Sequence, residues 1–165
     1  MKYEGFALFE LIVILLIFGL SIALVAPSLS RFSSAVELKG AAKKVSAILR
    51  YYRSEAINRG RVYHVLFDSD LNEVRIQPVV LEEEQEEAEK KEESVVTPKI
   101  YAIPKGVHLK EIKVESTQYP SDLPTIEFYA NGGSNGGSIT LDSQDREGYK
   151  IEVDFLTGIV AVQKI

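Results

Sequence analysis

The chain has no cysteine and no tryptophan, and it has only two histidines, His64 and His108. Without cysteine there are no disulfides and no thiolate metal sites. Two histidines are too few for a histidine-rich metal cluster. The fold must therefore be stabilised by packing alone, and neither a metal nor any other cofactor is expected.

An excess of positive charge is also missing, since the formal net charge of the 165 residues is −5. Proteins that bind nucleic acid do so mainly through clustered lysine and arginine side chains that contact phosphates. The overall charge therefore argues against a nucleic-acid partner.

Two signatures of catalysis are absent as well. The sequence contains no His-Glu-x-x-His and no cysteine nucleophile. His64 falls within a predicted strand and His108 at the start of another, so both are expected to be packed or surface side chains. No catalytic residue is assigned, and the chain is predicted not to be an enzyme.

One motif has the opening spacing of a calcium loop, Asp68-x-Asp70-x-Asn72. It lacks the glycine at the sixth position and has Val79 where the closing glutamate belongs, so a hairpin turn is predicted instead. The acidic segment 142–147 is interpreted in the same way. The glycine-rich segment 132–137 is not followed by a helix, so it is predicted to be a hairpin loop and not a phosphate-binding loop.

A long apolar run, FALFELIVILLIFGLSIALVA, extends from Phe6 to Ala26, and Glu10 is its only charge. As a helix it spans roughly 30 Å, the thickness of a bilayer core. A carboxylate there costs roughly 2.5–3.5 kcal/mol to insert, so it needs a partner. A secretory signal or a plain membrane anchor explains the run but not Glu10.

The orientation of this span is ambiguous from charge. Lys2 precedes it and is offset by Glu4, whereas Arg31 and three lysines follow it. The positive-inside rule therefore weakly favours a cytoplasmic C-terminal side.

Beyond the span, apolar residues recur at three- and four-residue spacing, which marks one face of an amphipathic helix. They are Leu38, Ala41, Ala42, Val45, Ile48, Leu49, Tyr52 and Ala56. Pro27 either ends the first helix or kinks a longer one, and the pattern after it favours the kink. One helix from about Phe6 to about Asn58, ending at Gly60, is predicted, roughly 80 Å long.

After Gly60 the period changes to two, which is typical of strands. A first hairpin is predicted from 62–67 and 73–80. Further strands are predicted at 99–103, 107–114, 125–129, 138–142, 149–154 and 159–163, which indicates an antiparallel system of two packed sheets. Between the second and third strands, residues 82–93 form an acidic run that is interpreted as a disordered loop, with a solvated loop or short helix as alternatives.

At its N-terminus the chain resembles the type IV pilins and the pseudopilins of type II secretion. The segment GFALFEL, residues 5–11, resembles the prepilin leader motif. The resemblance implies that a prepilin peptidase cuts after Gly5 and methylates the new amine of Phe6. It implies that Glu10 pairs with the amine of a neighbouring subunit during assembly, and that Pro27 bends the helix.

Two downstream segments, 49–70 and 128–162, resemble the GspH/FimT group. The resemblance implies an α+β, pilin-like fold, in which a long N-terminal helix with a transmembrane first half packs on an antiparallel two-sheet domain. It divides the chain into a cleaved leader (1–5), a transmembrane half-helix (6–26), an amphipathic half-helix (27–59) and a β-rich head (60–165) with the acidic loop.

The resemblance implies a minor pseudopilin, a structural subunit of the periplasmic fibre that drives protein export in type II secretion. It places the N-terminus in the cytoplasm and the head in the periplasm, against the charge rule. The implied partners are other pseudopilins, the prepilin peptidase, the inner-membrane assembly platform and the lipid bilayer. The alternatives are a minor pilin of a type IV pilus and a plain anchored binding domain.

Some minor pilins of this group take up DNA through arginines near the C-terminus. Here the tail 157–165 has Lys164 as its one basic residue, and the arginines cluster on or just after the helix instead. The helix-associated arginines, which are Arg50, Arg53, Arg59 and Arg61, are expected to face solvent or a neighbouring subunit. DNA uptake is therefore the weaker function.

Overall fold

A computed structural model describes residues 4–79, 98–115, 117–119, 121–143 and 146–165, with side chains left out at 4–7, 23–33 and 146–147. The acidic run 82–93 lies outside the described residues. The first element is one helix, α1, which spans Glu4–Arg59. It continues through Pro27, so the alternative in which this proline ends the helix is wrong.

The helix ends where the sequence predicts it. Gly60 adopts a φ of 62°, and the amide of Arg61 donates to the carbonyl of Ala56 at 3.2 Å. Glycine tolerates this left-handed conformation without steric cost, which makes it the usual residue after a helix. Arg59 pairs with Glu55 at 2.6 Å one turn earlier on the exposed surface.

In the described part of the chain, eight strands follow the helix, and each overlaps one of the predicted strands. They are β1 (Tyr63–Asp68), β2 (Glu73–Pro78), β3 (Lys99–Ala102), β4 (His108–Lys113), β5 (Thr125–Phe128), β6 (Gly137–Ser143), β7 (Arg146–Val153) and β8 (Val160–Lys164).

The strands form two antiparallel four-stranded sheets, with the orders β3-β2-β1-β5 and β4-β6-β7-β8. The predicted first hairpin, β1–β2, is confirmed by its register from Tyr63 opposite Pro78 to Asp68 opposite Glu73. The glycine-rich segment folds back on β5, with an antiparallel bridge between Phe128 and Ser134, and then leads into β6 of the other sheet.

One core joins the helix to both sheets. All eight residues predicted for the apolar helix face are buried, each at most 8% exposed. They pack with the inward side chains of the first sheet, such as Val65, Phe67 and Ile126, and with Ile139 and Ile151 of the second. The expected α+β fold, a helix packed on antiparallel sheets, is confirmed.

The packing of the helix face predicts a large effect of truncating Leu49, which is fully buried. Leu49→Ala should lower the free energy of unfolding by about 2–5 kcal/mol, because it removes buried methyl groups and leaves a cavity. Urea unfolding of the full chain in detergent micelles, followed by tyrosine fluorescence, measures the change. The matched control is Leu71→Ala, since Leu71 is 62% exposed and its truncation should be near neutral. Equal effects of the two changes would contradict the packing described here.

Candidate functional site

The N-terminal part of α1 extends beyond the head. Every residue from 8 to 22 is exposed, and the large apolar side chains there are between 38% exposed (Val13) and 67% exposed (Ile22). Residues of the same type in the head-packed part of the helix are almost fully buried. An apolar helix surface of this size, exposed on all sides, is typical of a surface that is covered by lipid or by other chains.

Glu10 lies on this apolar segment and is itself exposed. It is the only charged residue between residues 8 and 22. Among the residues whose side chains the structure describes, the buried face of the helix begins at Leu38, 28 residues after Glu10. Its predicted partner, an amine on another subunit, belongs to the assembled state.

The other sequence-predicted site residues lie on the same helix. Gly5 and Phe6 fall in its first turns, and Pro27 lies between the exposed segment and the buried face. Their roles in cleavage, methylation and bending stay predictions. In the part of the chain that the structure describes, no helical stretch combines the length and hydropathy that a membrane crossing needs.

The turn after β1 is the predicted hairpin turn. Oδ1 of Asp68 accepts hydrogen bonds from the amides of Asp70 and Leu71, and Oδ2 pairs with Arg75 at 2.9 Å. Asn72 adopts a φ of 52° and donates through its side chain to the carbonyl of Val107. The carboxylate of Asp68 thus closes the turn.

At the far end of the helix, two arginines connect α1 to the loops of the head. Nη2 of Arg50 donates to the carbonyl of Val160 at 3.0 Å. Nε of Arg53 donates to the carbonyls of Gly132 and Thr157, at 3.0 and 2.9 Å. Arg50 is exposed, as expected, and Arg53 is half-buried, but both also hold loops of their own chain.

A buried carboxylate that the sequence analysis missed lies on the outer side of the first sheet. Glu127, in β5, is fully buried. Its two oxygens accept from the amides of Gln118 and Tyr119, each at 3.0 Å, and from the hydroxyl of Tyr129 at 2.8 Å. Burial, together with this hydrogen bond, raises the pKa of Tyr129. Glu127 therefore holds the connector between β4 and β5 against the sheet.

His64 lies beside this carboxylate. Its Nε2 is 3.5 Å from Oε1 of Glu127, and its ring is 5.8 Å from the ring of Tyr119. Nε2 has no hydrogen-bond partner within the described residues. Burial lowers the pKa of His64 below its ordinary value, and the nearby Glu127 charge only partly opposes this effect. The prediction that His64 is a packed side chain is confirmed.

The sequence signal for Glu127 was ambiguous. Strand alternation places Glu127 and Thr125 on the face opposite Ile126 and Phe128, which predicts exposure. The alternation of a strand predicts which face of the sheet a residue occupies. It does not predict whether a connector from elsewhere in the chain covers that face.

The carboxylate of Glu127 should stabilise the head measurably. Glu127→Gln should lower the free energy of unfolding by about 1–3 kcal/mol, because an amide NH₂ then faces a backbone donor in a buried site. Urea unfolding measures the loss, and amide hydrogen exchange at Gln118 and Tyr119 should accelerate. The control is Glu111→Gln, at a mostly exposed side chain. A loss of unfolding free energy no larger than that of the control would contradict the stabilising role of Glu127.

The lowered pKa of His64 predicts an acid-sensitive stability. Since the unfolded chain binds this proton more readily than the folded chain, stability is complete above the unfolded pKa of about 6.5. It falls as the pH drops from there toward the lower folded pKa. The slope of unfolding free energy between about pH 7 and pH 5.5 should be smaller in His64→Gln than in the parent. His108→Gln controls for loss of an exposed imidazole, and equal slopes in the parent and His64→Gln would refute the assignment.

Comparisons with known proteins agree with this architecture. A family model described as "Type II transport protein GspH" matches residues 41–157. The type II secretion system protein H of Xanthomonas campestris pv. campestris is 25% identical over 159 residues, covering 96% of this chain and 82% of the relative.

Solved structures show the same fold. The minor pseudopilin EpsH of the type 2 secretion system of Vibrio cholerae aligns with a TM-score of 0.56 at 16% identity, over 78% of this chain and 97% of that chain. The type IV minor pilin FimU of Pseudomonas aeruginosa aligns with a TM-score of 0.55 at 18% identity, over 80% of this chain and 92% of that chain. The matched family region contains the buried helix face except Leu38 and reaches the β7–β8 turn, and on that match the chain belongs to the GspH family of type II transport proteins.

Proposed function

We propose that this chain is a minor pseudopilin, a structural subunit of the periplasmic fibre that drives protein export by type II secretion. The observation that carries the proposal is the exposed apolar helix segment 8–22, with Glu10 as its single charge, extending from a packed head. Membership of the GspH family supports the type II system. The family is structural, and the proposed role requires no catalytic group.

Glu10 is the proposed assembly contact. A carboxylate surrounded by apolar side chains is costly unless it gains a cationic partner. Cleavage after Gly5 would create such a partner, the methylated amine of Phe6, on a neighbouring subunit. Bundling of the apolar segments then buries the carboxylate and the amine together, so that the pair sets the register between subunits.

The domain division follows from the same proposal. The leader 1–5 is removed, 6–26 anchors the subunit in the inner membrane before assembly, 27–59 joins the anchor to the head with a bend at Pro27, and 60–165 is the periplasmic head. The prepilin peptidase, the assembly platform and the lipid bilayer are the partners of this route. Other pseudopilins are the partners in the fibre.

A minor pilin of a type IV pilus is the second candidate, and the fold shared with FimU favours it. Uptake of DNA by such a pilin would need a basic surface. The C-terminal strand β8 offers Lys164 alone, and Arg50 and Arg53 also hold loops of the head. These contacts make DNA uptake the weaker of the two functions.

Replacing Glu10 should separate leader processing from assembly. In cells that carry the complete secretion system, Glu10→Gln and Glu10→Leu should leave cleavage after Gly5 intact and should reduce incorporation into the fibre and export of the secreted protein. The physical reason is the lost pairing with the neighbouring amine. N-terminal mass spectrometry measures cleavage, and crosslinking to other pseudopilins measures incorporation.

The matched control is Glu55→Gln, which removes a half-buried carboxylate, paired with Arg59, from the part of the same helix that lies beside the head. It should leave both readouts unchanged. Normal incorporation of the Glu10 variants would contradict the assembly role, and an intact Met1 N-terminus in the parent would favour a plain membrane anchor.

A further inference from the structure

Between α1 and the start of β8 lies a recess of about 300 Å³, here called the arginine recess. It is lined by Arg50, Arg53, Ser54, Gly158, Ile159 and Val160. It lies near the opposite end of α1 from the exposed segment 8–22, since Arg50 and Arg53 lie in the last three turns of the helix. The assembly contact proposed at Glu10 therefore does not use it.

Both arginines are held in place by carbonyl groups. Arg50 is fixed by one bond to Val160, and Arg53 by two bonds from Nε. The Nη groups of Arg53 and most N–H groups of Arg50 take no part in these bonds, and a guanidinium has five donors. The two side chains are thus oriented while most of their donors stay available.

Within the residues that the structure describes, the ion pairs within 4.0 Å include neither of these arginines. By contrast, Arg59 and Arg75 each lie against a carboxylate of the same chain. The arginine recess therefore presents two positive charges that form no ion pair within 4.0 Å with a described carboxylate.

The arginine recess requires a residue without a side chain at position 158. It has a φ of 63°, and a Cβ there would lie 2.6 Å from the carbonyl oxygen of Gly132 and 3.0 Å from Nε of Arg53. Any side chain at this position would push the guanidinium away from the loop. Glycine at 158 thus permits the close approach that orients Arg53.

We propose that the arginine recess binds a carboxylate side chain of a neighbouring subunit, an inference that rests on the proposed assembly into a fibre. A carboxylate is planar and accepts two parallel hydrogen bonds from a guanidinium. Ile159 forms part of the rim, and its side chain is 59% exposed. Phe155 and Leu156, in the same turn, are 56% and 77% exposed. A protein partner would cover these apolar side chains and so strengthen the ion pair by excluding water.

A long polyanion fits the surroundings less well. On the other side of Ile159, a second groove is lined by Glu115, Glu152 and Asp154, with Lys113 as its one basic side chain. Carboxylates there repel the phosphates of an extended nucleic acid, whereas a single acidic side chain entering the arginine recess avoids them. The charge pattern thus favours a protein partner.

The test uses the full chain in nonionic detergent micelles and a fluorescein-labelled hexaglutamate peptide as the probe. Fluorescence anisotropy should show binding that weakens with added salt. Arg50→Gln should reduce the affinity about tenfold, as expected for the loss of one charge-assisted pair. Arg53→Lys, which keeps the charge but loses the planar donor set, should also reduce it.

Arg61→Gln is the matched control, because Arg61 is an exposed arginine just after the helix and outside the recess; it should leave the affinity unchanged. Thermal unfolding checks that each variant stays folded. Absence of peptide binding, or equal weakening by Arg61→Gln, would overturn the proposal, and so would tighter binding of a labelled oligothymidylate of equal charge. Because Glu10→Leu should leave peptide binding intact, failure here is distinguishable from failure of the proposed assembly role.

Discussion

The buried face of α1, from Leu38 to Ala56, is the interaction on which the rest of the molecule depends. This face contacts β1 and β5 of one sheet and β6, β7 and β8 of the other. The two sheets have separate strand orders, so the helix is the element that both sheets share. Its small residues, Ala41, Ala42 and Ala56, are each at most 3% exposed, and they let the backbone of the helix approach the strands closely.

Because one helix forms both the core of the head and the exposed segment, the position of the N-terminal surface is tied to the head. Glu10 and Leu38 are separated by about 42 Å of helix, at about 1.5 Å per residue. The backbone stays helical on both sides of Pro27, although this residue cannot donate the usual hydrogen bond. A pull on the N-terminal segment is therefore transmitted directly to the core of the head.

The elements of this fold were predictable because their hydrophobic periods are distinct. The three- and four-residue spacing from Leu38 to Ala56 identified the apolar residues of the buried helix face, although not the buried Ser46, and the period of two after Gly60 located the strands. Which strands belong to which sheet was harder to predict from the sequence. The glycine-rich segment 132–137 looks like a hairpin loop in sequence, and only the pairing of β5 with β1 and of β6 with β4 and β7 shows that it crosses between sheets.

The parts of the candidate sites that sequence missed are polar groups buried by distant segments. Glu127 occupies an outward position of its strand, and its burial comes from the connector at 117–119. Arg53 lies on the polar side of an amphipathic pattern, yet it bonds to residues 79 and 104 positions away in sequence. Periodicity describes which face a residue occupies, whereas such contacts depend on which loop folds back onto that face.

In a chain without cysteine, bonds between side chains and the backbone hold loops that disulfides hold in many small domains. Asp68 closes the β1–β2 turn, Asp154 closes the β7–β8 turn through the amides of Leu156 and Thr157, and Glu127 holds the β4–β5 connector. In the buried site of Glu127 such a bond contributes about 1–3 kcal/mol, somewhat less than the 2–4 kcal/mol of a typical disulfide. Unlike a disulfide, however, each of these bonds acts on one loop only.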